Sequence, residues 1–169
     1  MNRIVVLTTA TVAVLLAGPV SARIDRWSAD RGEDTVAVTD CSDCGDDVGV
    51  LVACRRPGAV AKLSVPFLAL EAQSDPADDP VSLAFRIDGE TFRLPAAFEQ
   101  WSMVGAVPVV ALPRSSRLAL AIRRGHLMEI ELAARTIQIG LKGSAAAMAI
   151  FDVYCDWGDD DGRAVDKPG

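Results

Sequence analysis

The sequence predicts an α+β domain built mainly from antiparallel β-sheet, in the manner of a sandwich, with two short helices near the C-terminus. Three observations carry this. Short runs with a period of two recur between glycine- and proline-containing stretches. One of those runs ends in Asp88-Gly89, the pair that closes a two-residue hairpin, because both residues tolerate positive φ. The period then changes to that of a helix at about residue 115 and again at about residue 144. Short connections favour antiparallel pairing, since parallel strands need long crossovers.

The elements follow in chain order. Residues 1–22 read as a cleavable export signal: Arg3 as the basic start, Ile4 to Leu16 as a short apolar stretch, and Val20-Ser21-Ala22 as the small residues before a cut. The apolar stretch is short for a bilayer span, and no later segment is long and apolar enough for one. A single exported domain is therefore expected over residues 23–157, with an acidic, disordered tail over 158–169. Residues 23–34 are polar and expected to be irregular, with Trp27 as one apolar anchor. Thr35 to Thr39 alternates as a strand. Gly49 to Cys54 reads as a buried strand. Ala59 to Ala72 holds one long or two short strands, interrupted at Pro66. Gln73 to Pro80 is a loop.

Val81, Leu83, Phe85 and Ile87 point one way in a half-buried strand. The hairpin returns it through Thr91 to Leu94, and further strand candidates surround Trp101 and Val107 to Val110. Ser115 or Ser116 caps the first helix, Leu118 and Ile122 share its face, and Gly125 is expected to end it in the left-handed conformation. Strands follow at Leu127 to Leu132 and Thr136 to Leu141. The second helix runs from Ala145 to about Tyr154, with Ser144 as its cap and Met148, Phe151 and Cys155 on one face.

Charge and cysteines bound the function. Removing residues 1–22 removes one charge, Arg3, and leaves 16 basic and 23 acidic side chains, a net charge of −7. That balance argues against nucleic acid and against an anionic membrane surface as partner. The even set Cys41, Cys44, Cys54 and Cys155 reads as disulfides in an oxidising compartment, with three pairings open. Cys41-Ser-Asp-Cys44 has the spacing of a redox motif. However, no helix pattern follows it, and the adjacent aspartates would raise the thiol pKa, so a small structural bridge is the expected role.

His126 is the one histidine, and no Gly-x-Ser-x-Gly elbow accompanies it, so it is read as a turn residue between helix and strand. The acidic groups Asp40, Asp43, Asp46, Asp47; Asp75, Asp78, Asp79; and Asp156, Asp159, Asp160, Asp161 lack the spaced frame of a calcium loop and read as solvated. No metal site, cofactor or catalytic set is expected. Trp27, Trp101 and Trp157 are candidates for a sugar- or protein-binding platform, with Trp101 assigned to the core.

In order, VGVLVACRR ending near Cys54, SLAFRIDGE at 82–90, Trp101-Ser102, PRSSRLALAIRR at 113–124 and LKGSAAAMAIFDVYCDW at 141–157 together resemble the periplasmic accessory proteins of bacterial type VI secretion systems (TagO/VasI-like). Cys41 and Cys44 lie outside that pattern, and Ala134 to Lys142 lacks the aromatic residue the family carries there. A weaker resemblance is to the invasion-associated locus B-like proteins, whose Gly-Cys-x-Ala element is missing. The stronger resemblance implies an antiparallel β-sandwich-like domain and a Cys54–Cys155 disulfide. It also implies a non-catalytic role assisting an envelope or secretion machine, with protein partners in the cell envelope and no membrane insertion after signal cleavage. The other function class is a secreted inhibitor or interaction module acting on a basic cell-wall-degrading or host enzyme, which an acidic domain would attract.

Overall fold

The computed structural model describes residues 26–32, 35–40, 48–55, 60–70 and 81–155. Nine strands occur among them: β1 (Ser28–Arg31), β2 (Thr35–Thr39), β3 (Leu51–Arg55), β4 (Ala61–Ser64), β5 (Val81–Ile87), β6 (Glu90–Trp101), β7 (Gly105–Leu112), β8 (Leu127–Leu132) and β9 (Arg135–Gly140). Two helices join them, α1 (Arg117–Arg124) and α2 (Ser144–Tyr154). Every pairing is antiparallel, in the order β1-β2-β3-β4-β7-β6-β5-β8-β9. The protein is thus α+β and mostly β.

The long strand β6 organises the fold. Its first part, Glu90 to Ala96, pairs with β5, and its second part, Ala97 to Trp101, pairs with β7. Two half-sheets therefore share one strand. One contains β9, β8, β5 and the start of β6; the other contains the end of β6, then β7, β4, β3, β2 and β1. Both contribute to one core: Leu83, Phe85, Met128 and Ile130 from the first, and Val36, Val52, Leu63 and Val110 from the second. Each fully buried side chain of this size contributes roughly 1.5–3 kcal/mol through apolar area removed from water. Polar bonds join the two half-sheets. The Trp27 indole N–H donates to Gly140 O at 2.8 Å, and the Trp27 amide to Lys142 O at 3.1 Å. The Arg135 guanidinium donates to the carbonyls of Phe67, Leu68 and Ala69.

The Asp88-Gly89 hairpin forms as its residues require, with φ +47° and +92°. Pro66 opens a single 3-10 turn, Pro66–Leu68, just past β4. Ser116 caps α1, its Oγ accepting from the Ala119 amide at 3.1 Å. Arg123 and Arg124 occupy the last turn of α1, where the helix dipole favours cations.

Several details differ from the sequence expectation. The segment expected to be irregular holds β1, because Ser28 to Arg31 finds a partner in β2. Gly125 has φ −77° and ψ 172°, so it is extended rather than left-handed. Its need is for space, since a Cβ there would collide with the Ile87 and Leu141 side chains. The cap of α2 is Gly143, at φ +90°, not Ser144. Ser144 is the first helical residue, and its buried hydroxyl donates to Ile122 O at 2.6 Å, pinning α2 to α1. The Arg123–Asp152 ion pair at 2.8 Å makes a second link between the helices.

Candidate functional site

The cysteines come first. Cys54 lies in β3, beside Val36 of β2. Cys155 follows the last turn of α2, which packs on β1, β2 and α1. Both are buried, and a disulfide joins them across a sequence separation of 101, with Cα atoms 6.1 Å apart. The expectations for Cys41 and Cys44, for the export signal and for the tail lie outside the described residues. So do those for Trp157 and for all the clustered aspartates except Asp40. Asp40 is buried, and its Oδ1 accepts from the amides of Gly49 at 3.0 Å and Val50 at 2.9 Å, so it ties the end of β2 to the start of β3. Among the described residues no group of three or more His, Cys, Asp or Glu side chains is placed to hold a metal ion.

His126 stands between α1 and β8 with its side chain 92% exposed. Its Nδ1 lies 3.1 Å from Asp88 Oδ2, which also accepts the His126 amide at 3.0 Å. Asp88 Oδ1 accepts the Leu127 amide at 3.3 Å. The hydrogen bond from the His126 side chain, assisted by the two amides, holds the Asp88 carboxyl below its usual pKa. The carboxylate therefore locks the β5–β6 hairpin onto the start of β8. Ser116 is engaged at the helix cap and is not part of this pair.

The tryptophans separate. Trp27 is 3% exposed and belongs to the core. Trp101, expected in the core, is instead half-buried. The reason is strand parity. Phe92, Leu94, Ala96 and Phe98 of β6 face inward, so Ala97, Glu99 and Trp101 face out. Trp101 lines a recess of about 390 Å³ on the outer side of the larger half-sheet. Leu51, Ala53 and Val60 supply apolar lining, and Lys62, Ser64 and Glu99 supply polar groups. Lys62 and Glu99 form an ion pair. The register sets Lys62 opposite Ala111 and Glu99 opposite Val107, so Val109 lies between them and the lysine stem crosses over it. A second hollow of about 360 Å³ lies between α1 and the β5–β6 hairpin, with Arg117 paired to Glu90 at its mouth. Lys62, Ser64 and Glu99 escaped the sequence reading. Their signal was the i, i+2 spacing of Lys62 with Ser64 and of Glu99 with Trp101, which sets each pair on one face of a strand.

One further surface stands out. On α2, Ala147, Met148 and Phe151 are buried, while Ala146, Ala149, Ile150 and Val153 are exposed. The exposed set falls at i, i+3, i+4 and i+7, a continuous apolar stripe on the solvent side. Ile150 is 42% exposed and Val153 74%.

No protein-family model matches the chain, and none of the curated proteins matches it. Among solved structures it is similar to the crystal structure of invasion associated protein B from Bartonella henselae. The identity is 15%, the alignment covers 76% of this chain and 93% of that one, and the TM-score is 0.49. That protein's name corresponds to the weaker of the two resemblances drawn from the sequence.

Proposed function

We propose that the protein is a non-catalytic accessory protein of the bacterial cell envelope, exported and disulfide-braced, which holds a partner protein of an envelope or secretion machine. The observation that carries this reading is the apolar stripe of Ala146, Ala149, Ile150 and Val153 on α2. A helix hydrophobic on both faces gains from a second cover, and i, i+3, i+4, i+7 anchors are the pattern by which helices dock in protein grooves. The Cys54–Cys155 bond at the end of the same helix keeps the stripe presented. The sequence resemblance names the type VI secretion apparatus as one such machine.

The test is site-specific photo-crosslinking from Val153 in the producing cells. The expected result is a discrete adduct with a component of an envelope or secretion machine, lost when Ile150→Asp is added. A type VI component in that adduct would support the finer assignment. An adduct only with a basic cell-wall-degrading or host enzyme would replace this reading with the inhibitor function, which the net charge of −6 favours. No adduct, with the variant folded, would overturn the role of α2.

A further inference from the structure

The recess beside Trp101 has a composition that the accessory reading does not use. Its apolar side is Leu51, Ala53 and Val60, and Trp101 forms an aromatic wall that is half-buried and so already ordered. Its polar side carries an ammonium, a carboxylate and a hydroxyl. Lys62 and Glu99 compensate each other, so the recess as a whole has no excess of either charge. Ser64 is the third polar member. The residue is 5% exposed and lines the recess. Its hydroxyl both donates and accepts, so it complements a ligand hydroxyl in either role.

A pyranose ring has the matching duality. One face presents C–H groups, which suit the negative face of an indole, and its rim presents hydroxyls, which both donate and accept. Glu99 would accept from such hydroxyls and Lys62 would donate to them, as charge-assisted bonds stronger than neutral ones. The balanced recess and the acidic protein around it disfavour anionic sugars. Few convergent polar groups over an apolar lining is also the general design of small-ligand sites.

We propose that this recess binds one pyranose unit of a neutral oligosaccharide, stacked on the Trp101 indole with its hydroxyls on Glu99, Lys62 and Ser64. The site is distinct from the α2 stripe and goes beyond the accessory function. An envelope protein carrying it would hold a glycan as well as a protein partner.

The experiment is calorimetric titration of the purified, disulfide-bonded protein with three neutral probes: chitotetraose, cellotetraose and maltotetraose. At least one is expected to bind saturably, with a Kd of about 1 mM or tighter. Trp101→Ala should weaken that binding by about tenfold or more, and Trp101→Phe should restore most of it, since the aromatic face returns. Ser64→Ala, which removes one small polar atom and leaves the strand intact, should weaken it by roughly threefold to tenfold. Absence of binding by all three probes would overturn the proposal, and so would binding indifferent to Trp101→Ala in a folded variant. If no probe binds but Trp101→Ala abolishes capture of a protein partner, the recess is a protein contact and the glycan assignment fails. The Val153 crosslink is read separately, so either proposal can fall without the other.

Discussion

Asp88 shows how much one side chain can settle. The sequence marks it as a turn residue, and at φ +47° it is one. Its carboxylate also gathers the His126 side chain and the amides of His126 and Leu127. That second task was not legible, because residue 126 is brought back by pairing of β5 with β8. The bonds favour the ionised form, so the folded-state pKa lies below the unfolded value of 3.8. The stabilisation is therefore complete above the unfolded value and disappears as pH falls through the lower, folded value. Asp88→Asn should destabilise the protein at neutral pH and flatten the loss of stability as pH falls through and below 3.8. Urea unfolding across that range measures both; an unchanged acid slope would mean that other carboxylates dominate it. Trp101 makes the opposite point about single residues. Tryptophan usually seeks burial, but its strand parity places it with Glu99, outside the core.

Elements bounded by their own sequence were readable; elements completed by partners were not. α1 carries its cap, its apolar face and its C-terminal cations within a few residues. Ser116→Ala should therefore cost about 1 kcal/mol, seen as a lower thermal midpoint. β6 is the contrary case. Pro95 lies inside it, and only Thr91 to Leu94 and the region of Trp101 were expected as separate pieces. The inward alternation of Phe92, Leu94, Ala96 and Phe98 nevertheless runs through the proline. Pro95 is tolerated because β6 has a partner on one side only at that point, Ser82 of β5. Counting period, and not stop signals, would have recovered the whole strand. β1 had no internal period at all and exists by pairing with β2. The N-cap of α2 was misread for a local reason: Ser144 gives its hydroxyl to Ile122, a residue of the other helix.

At the scale of the molecule, fold class was legible from the period changes, but strand order was not. Nothing in the sequence announces that β7 inserts between β4 and β6, or that the ends of the sheet meet through Trp27 and Gly140. The Cys54–Cys155 bond spans this long-range architecture. Replacing both cysteines with serine should lower stability by about 2–5 kcal/mol in urea unfolding. A loss near zero would place the main constraint in the core and not in the bridge. The same architecture governs how the chain reaches its native state. Trp27 and Gly140 are 113 residues apart, and α2, which packs on β1 and β2, comes after every described strand. Contacts of such separation form slowly, because the chain must first bear the entropy of closing large loops. A nascent chain ending at Gly140 would have all nine described strands but not the helix that packs on the first two. It would expose apolar strand surface for as long as its last segment is delayed, and during that interval it would depend on a holding chaperone to escape aggregation.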